Sequence, residues 1–122
     1  MMVLSYRLAA RITGGVFAML CVTLILVPEV ILWLFDLAGA ASAEVLAKRA
    51  GILFLGLTLV LLLTQAHGPN PTRKAVQQAV AVMLCAMAVL GAAEWLQDGV
   101  GPGIWLAILA EILLAGVLAV AR

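Results

Sequence analysis

The residue of this sequence most able to do chemistry is a carboxyl in an apolar setting. Glu111 lies between the apolar runs Ile104–Ala110 and Ile112–Ala121. From either interface of a span over about 102–121 it is about ten residues deep, or roughly 15 Å at helical rise. If the stretch crosses a bilayer, a charge at this depth costs at least about 2.5–3.5 kcal/mol. Desolvation there favours the neutral acid, which both donates and accepts a hydrogen bond and so still needs a partner. Gly103, Ala107, Glu111, Ala115 and Ala119 recur every fourth residue, a small-residue stripe that lets helices approach closely in lipid. Counting inward from the membrane boundaries puts Thr58, Cys21, Thr23 and Cys85 at a similar depth, with Thr58 the best donor. Glu111 therefore reads either as a proton, cation or lipid-ligand site, or as glue between helices.

A second polar group is Arg49 with Lys48, opening one apolar stretch, and Glu94, closing another. Facing one another, Arg49 and Glu94 would form a polar mouth able to hold an anionic headgroup. Snorkelling and surface ion pairing explain the same residues without a ligand. The candidate binding set is thus Glu111, Thr58, Arg49 and Glu94. His67 has no second ligand-type residue near it, so no metal site is expected. Cys21 and Cys85 have no CxxC spacing and read as small buried hydrophobes, unless they meet as a redox pair. No GxSxG, Walker loop, CxxCH or HExxH occurs, so no catalytic residue, cofactor or enzyme activity is expected.

The elements that position these residues follow from composition. The 122 residues are 66% hydrophobic and 11% charged, with a mean hydropathy of +1.25. A water-soluble domain of this size keeps too much surface exposed to hide that apolar content. The net charge of +1 gives no electrostatic case for nucleic acid. Four stretches approach the roughly 20 apolar residues that cross a bilayer: about 8–27, 49–66, 73–96 and 102–121. Pro28 closes the first, and the His67-Gly68-Pro69-Asn70-Pro71 breakers close the second. Pro102 falls in the first turn of the fourth, where a helix tolerates proline. The apolar run from Ile12 to Phe35 exceeds the h-region of a signal peptide and reads as a retained span.

Between the first two spans, Pro28–Leu37 is too short to cross and too apolar for a free loop. A short helix lying in the interface, with Trp33 and Phe35 toward lipid, is expected there. Ala38–Glu44 then serves as connector. Charge sets the direction: with the amino terminus inside, Arg7, Arg11, Arg73, Lys74 and Arg122 are cytoplasmic and only Lys48 and Arg49 are outside. Glu29, Asp36, Glu44, Glu94 and Asp98 fall outside, as do Trp33, Trp95 and Trp105, placed like an aromatic belt. The expected fold is all-α: a single-domain four-transmembrane-helix bundle, N-in and C-in, with a short interfacial helix between spans one and two.

Several short motifs resemble uncharacterised bacterial four-helix membrane proteins of DoxX-like layout. They are Pro28-Glu29 before the apolar segment Val30–Leu37, Arg49-Ala50-Gly51 opening span two, the Gly91–Gly99 segment, and the lone Glu111. The resemblance implies this fold, no established activity, and a loose association with thiosulfate and quinone chemistry. Where that family often carries arginine in the third span, this chain has Glu94. Small multidrug transporters place their key glutamate in span one, which has none here, and the Asn and Phe arrangement of fluoride channels is missing. The expected role is an accessory or interaction subunit of the bacterial cytoplasmic (inner) membrane. Its partners would be the lipid bilayer and a membrane protein or a second copy. The alternative is a small-molecule or proton-coupled carrier, or lipid-ligand binder, using Glu111.

Overall fold

The computed structural model describes residues 5–37, 41–97 and 99–122. Every regular element among them is a helix: α1 (Tyr6–Leu26), α2 (Pro28–Leu34), α3 (Ala41–Gln65), α4 (Pro71–Leu96) and α5 (Ile104–Val120). Local signals explain most of the boundaries. Ser5 caps α1 by accepting from the Leu8 N–H, and Asn70 caps α4 by accepting from the Arg73 N–H at 2.7 Å. Pro28 and Pro71 both stand in first turns, where the missing N–H has no partner to lose.

Three helices, over Tyr6–Leu26, Ala43–Gln65 and Pro71–Leu96, are long and apolar enough to cross a membrane. The 17 residues of α5 are equally apolar but extend only about 26 Å, against roughly 30 Å of hydrocarbon. Residues 102 and 103 add a tight turn ahead of it: the Trp105 N–H donates to the Pro102 carbonyl and Leu106 to Gly103.

Two expectations are corrected. The second long helix starts at Ala41 rather than near Arg49, so the connector shrinks. Ala43, Ala47 and Ala50 are strong helix formers and carry the helix back beyond the lipid-length run. Residues 38–40 of the expected connector lie outside the described residues, as does Asp98. The short helix α2 is present, with Trp33 exposed, but Phe35 turns inward and packs with Ala88, Ile104 and Ile108. Helix phase is the cause: Phe35 lies two residues past Trp33, about 200° round the helix, on the side of buried Pro28 and Leu32. Asp36 adopts φ 60°, the Leu37 N–H reaches back to the Leu32 carbonyl, and the Asp36 N–H to that of Trp33. This Schellman turn ends α2 beside the approach to α5, where the Phe35 carbonyl accepts from the Gly101 N–H at 2.9 Å.

The helices pack as two antiparallel pairs, α1 with α3 and α4 with α5, which touch each other more sparingly. Small residues set both approaches. A Cβ on Gly51 would stand 2.8 Å from Ile25 Cγ1 and 3.2 Å from the Cys21 carbonyl oxygen. One on Gly91 would stand 3.1 Å from Ile108 Cγ1. A core of Tyr6, Ala10, Phe17, Leu61, Leu84 and Leu118 joins the pairs. Outward, apolar side chains run the length of the helices, among them Leu53 at 70%, Val89 at 70% and Leu96 at 81% exposure. Such faces suit lipid or a protein partner, not water.

Candidate functional site

Glu111 occupies an inward position of α5. Ile104, Ile108, Ala115 and Leu118 are among the buried residues that flank it, and with Glu111 they follow the alternating four-and-three spacing of a helix seam. The expected stripe is only partly that seam. Ala115 is buried and Ala107 half-buried, but Ala119 is exposed, because bulky Ile104, Ile108 and Leu118 take the contact face instead. Glu111 is half-buried, and its Oε2 atom is sealed from solvent without a hydrogen-bond partner among the described residues.

Register explains the missing partner. The Tyr6 N–H donates to the Arg122 carbonyl at 2.9 Å, which brings Glu111 level with Phe17 of antiparallel α1. Gly91 against Ile108, and Gln77 bonded to Leu118 and Ala121, bring it level with residues 84–88 of α4. Phe17, Leu84 and Ala88 at these levels offer no donor, and Phe17 stacks on Phe54 with centroids 5.3 Å apart.

The expected donor does not serve. Thr58 is buried, but its single proton goes to the Phe54 carbonyl at 2.8 Å, with a longer approach of 3.5 Å to that of Gly14. It ties α3 to α1, the helix along which α3 packs. Thr23, on α1, likewise donates to the Met19 carbonyl, so depth alone did not make either a partner. Arg49 is exposed near the start of α3 and Glu94 half-buried near the end of α4; no ion pair joins them among the described residues. The four expected site residues are therefore not one constellation. Cys21 is buried and Cys85 exposed, both as free thiols, so only the first behaves as a buried hydrophobe.

Sequence reasoning missed two features. Thr13 is fully buried, and its hydroxyl has no partner among the described residues. It departs from Thr23, Thr58 and Thr64, each of which donates to the carbonyl four residues back. The second feature is a polar knot where α1 and α4 begin and α3 and α5 finish. The Tyr6 hydroxyl pairs with Thr64 Oγ1 at 2.8 Å, and Arg73 stacks over the Tyr6 ring at 4.5 Å while donating to the His67 carbonyl. Arg11 Nε donates to Gln65 Oε1, and the Gln77 amide donates to the Leu118 and Ala121 carbonyls. Thr64, His67, Asn70, Thr72 and Arg73 line a cavity of about 290 Å³ beside the knot. A polar pair inside an apolar span, Gln77-Gln78, was the available signal.

No group of three or more His, Cys, Asp or Glu side chains suited to a metal occurs among the described residues. No protein-family model, curated protein or solved structure matches the chain. The chemistry available is thus one orphaned carboxyl oxygen at helix depth and a basic, hydrogen-bonded end.

Proposed function

We propose that this chain is a four-span integral membrane protein of the bacterial cytoplasmic membrane, working as an accessory or interaction subunit. The observation that carries the reading is the placement of polarity. Apolar side chains face outward along α1, α3, α4 and α5, whereas the hydrogen-bonded side chains of Tyr6, Arg11, Thr64, Gln65 and Arg73 gather at one end. Apolar lateral helix faces of this kind are surfaces through which membrane helices recognise partners. In this reading α5 is the fourth crossing, and local bilayer thinning accommodates its short length.

The amino and carboxyl ends are then cytoplasmic. Arg7, Arg11, Arg73, Lys74 and Arg122 share one end of the helix assembly, held there by the Tyr6–Arg122 and Arg11–Gln65 contacts, which supports that direction. Kinship with the DoxX-like proteins is part of the same proposal. Affinity purification in mild detergent tests it: a stoichiometric membrane partner or a defined homo-oligomer is expected. A protein that is strictly monomeric and partner-free by light scattering would contradict it.

A second reading, a proton-coupled or small-molecule carrier, is favoured by the sealed and unpartnered Glu111 Oε2. In that case Glu111→Gln abolishes pH-dependent flux in proteoliposomes while helicity is retained. Wild-type liposomes that carry nothing across a broad substrate panel would remove this reading.

A further inference from the structure

An open groove of about 1140 Å³ runs from the basic end down one side of α4, beside the carboxyl end of α5. It exceeds the roughly 300–1,000 Å³ of ordinary small-molecule clefts. Its rim holds Lys74, Arg122 and Gln78, and its wall holds Ala81, Val82 and Val120. No acidic side chain lines it.

The side chains of the rim are basic or neutral. Arg73 is committed to the Tyr6 ring and the His67 carbonyl, but Lys74 and Arg122 are exposed. The amino-terminal end of α4 adds partial positive charge to the rim. The carbonyl end of α5 would oppose it, but the Gln77 amide donates to both the Leu118 and Ala121 carbonyls. Below the rim, Val82 follows Lys74 by about 12 Å of helix. Cation above and hydrocarbon below, at that spacing, match a molecule with an anionic head and an acyl tail. A free phosphate ester would satisfy the rim and leave the apolar wall without a partner.

We propose that this groove is a binding site for one anionic phospholipid, with its headgroup between Lys74 and Arg122 and an acyl chain along Val82 and Val120. The inference rests on the bilayer placement proposed above, and it is independent of Glu111 and of any protein partner. Native mass spectrometry of detergent-solubilised protein tests it, with equimolar phosphatidylglycerol and phosphatidylcholine of matched chains. Two cations should favour the anionic lipid by about 25-fold, at about fivefold each. Lys74→Gln with Arg122→Gln should bring the ratio to within about twofold of unity, and Lys74→Gln alone should remove about fivefold. Arg7→Gln and Lys48→Gln should leave it unchanged, and Ala119→Trp, which fills the wall, should lower retention of both lipids.

Equal retention by wild type would overturn the site. So would an equal loss from Arg7→Gln, which would mean a diffuse basic surface, or displacement of the lipid by millimolar glycerol 3-phosphate, which would mean a headgroup-only site. Failure of the bilayer placement is separately visible, as a chain that stays dispersed without detergent.

Discussion

Replacing Glu111 with methionine should make the protein more stable. Methionine keeps the length of the side chain and removes its polar demand. Oε2 is buried without a partner among the described residues, and an unsatisfied buried polar atom costs about 1–3 kcal/mol. Only one of the two carboxyl oxygens is in that position, so the lower part of the range applies, about 1–2 kcal/mol. The neighbours favour the exchange further, since Ile108, Ala115 and Leu118 on the same seam are buried and apolar. Glu111→Gln leaves an amide in place of the carboxyl and should stay within about 0.5 kcal/mol of wild type. Unfolding by sodium dodecyl sulfate titration in mixed micelles, followed by helical circular dichroism, gives both differences. A Glu111→Met protein less stable than wild type by more than about 1 kcal/mol would refute the reasoning, because it would mean that the carboxyl is structural glue. A gain in stability marks a residue retained against the interests of the fold, which is the pattern of a functional group.

Substitutions at three further positions probe the packing. Gly51→Ala should destabilise the α1–α3 pair by about 1–3 kcal/mol in the same titration, because the new methyl meets the Cys21 carbonyl and Leu24 as well as Ile25. Asp36→Gly should be neutral or stabilising by up to about 1 kcal/mol, whereas Asp36→Val should cost about 1–2 kcal/mol, since the residue holds a left-handed turn. Gln77→Leu should cost about 1–3 kcal/mol by freeing the Leu118 and Ala121 carbonyls, and should speed amide exchange in the last turn of α5.

Helix existence was legible because lipid-length apolar runs and proline or asparagine boundaries are local signals. Ser5, Pro28, Asn70 and Pro71 mark observed ends within about two residues of expectation. The start of α3 was not legible. Alanine and glutamate extend a helix past the membrane boundary as readily as they form a loop, and hydropathy cannot tell which. Pairing was not legible either. Depth can be counted along a span, but the neighbour it faces depends on packing. Thr58 was therefore assigned to Glu111, when its hydroxyl belongs to Phe54 and Gly14. Phe35 was misplaced for a different reason: two residues past Trp33 it falls on the opposite side of α2, with buried Pro28 and Leu32, so the two rings cannot both face lipid. The orphaned state of Glu111 needed both kinds of information: its depth came from sequence and its missing donor from the register of α1 and α4.

Four crossings with the basic end inside are the central claim, and cysteine accessibility in intact spheroplasts tests them most directly. In a Cys21→Ala, Cys85→Ala background, Ser5→Cys, Asn70→Cys and Arg122→Cys should resist an impermeant maleimide until the membrane is opened. Glu44→Cys and Gly99→Cys should label at once. Labelling of Arg122→Cys from outside, with Asn70→Cys still protected, would mean that α5 does not cross and would contradict the account.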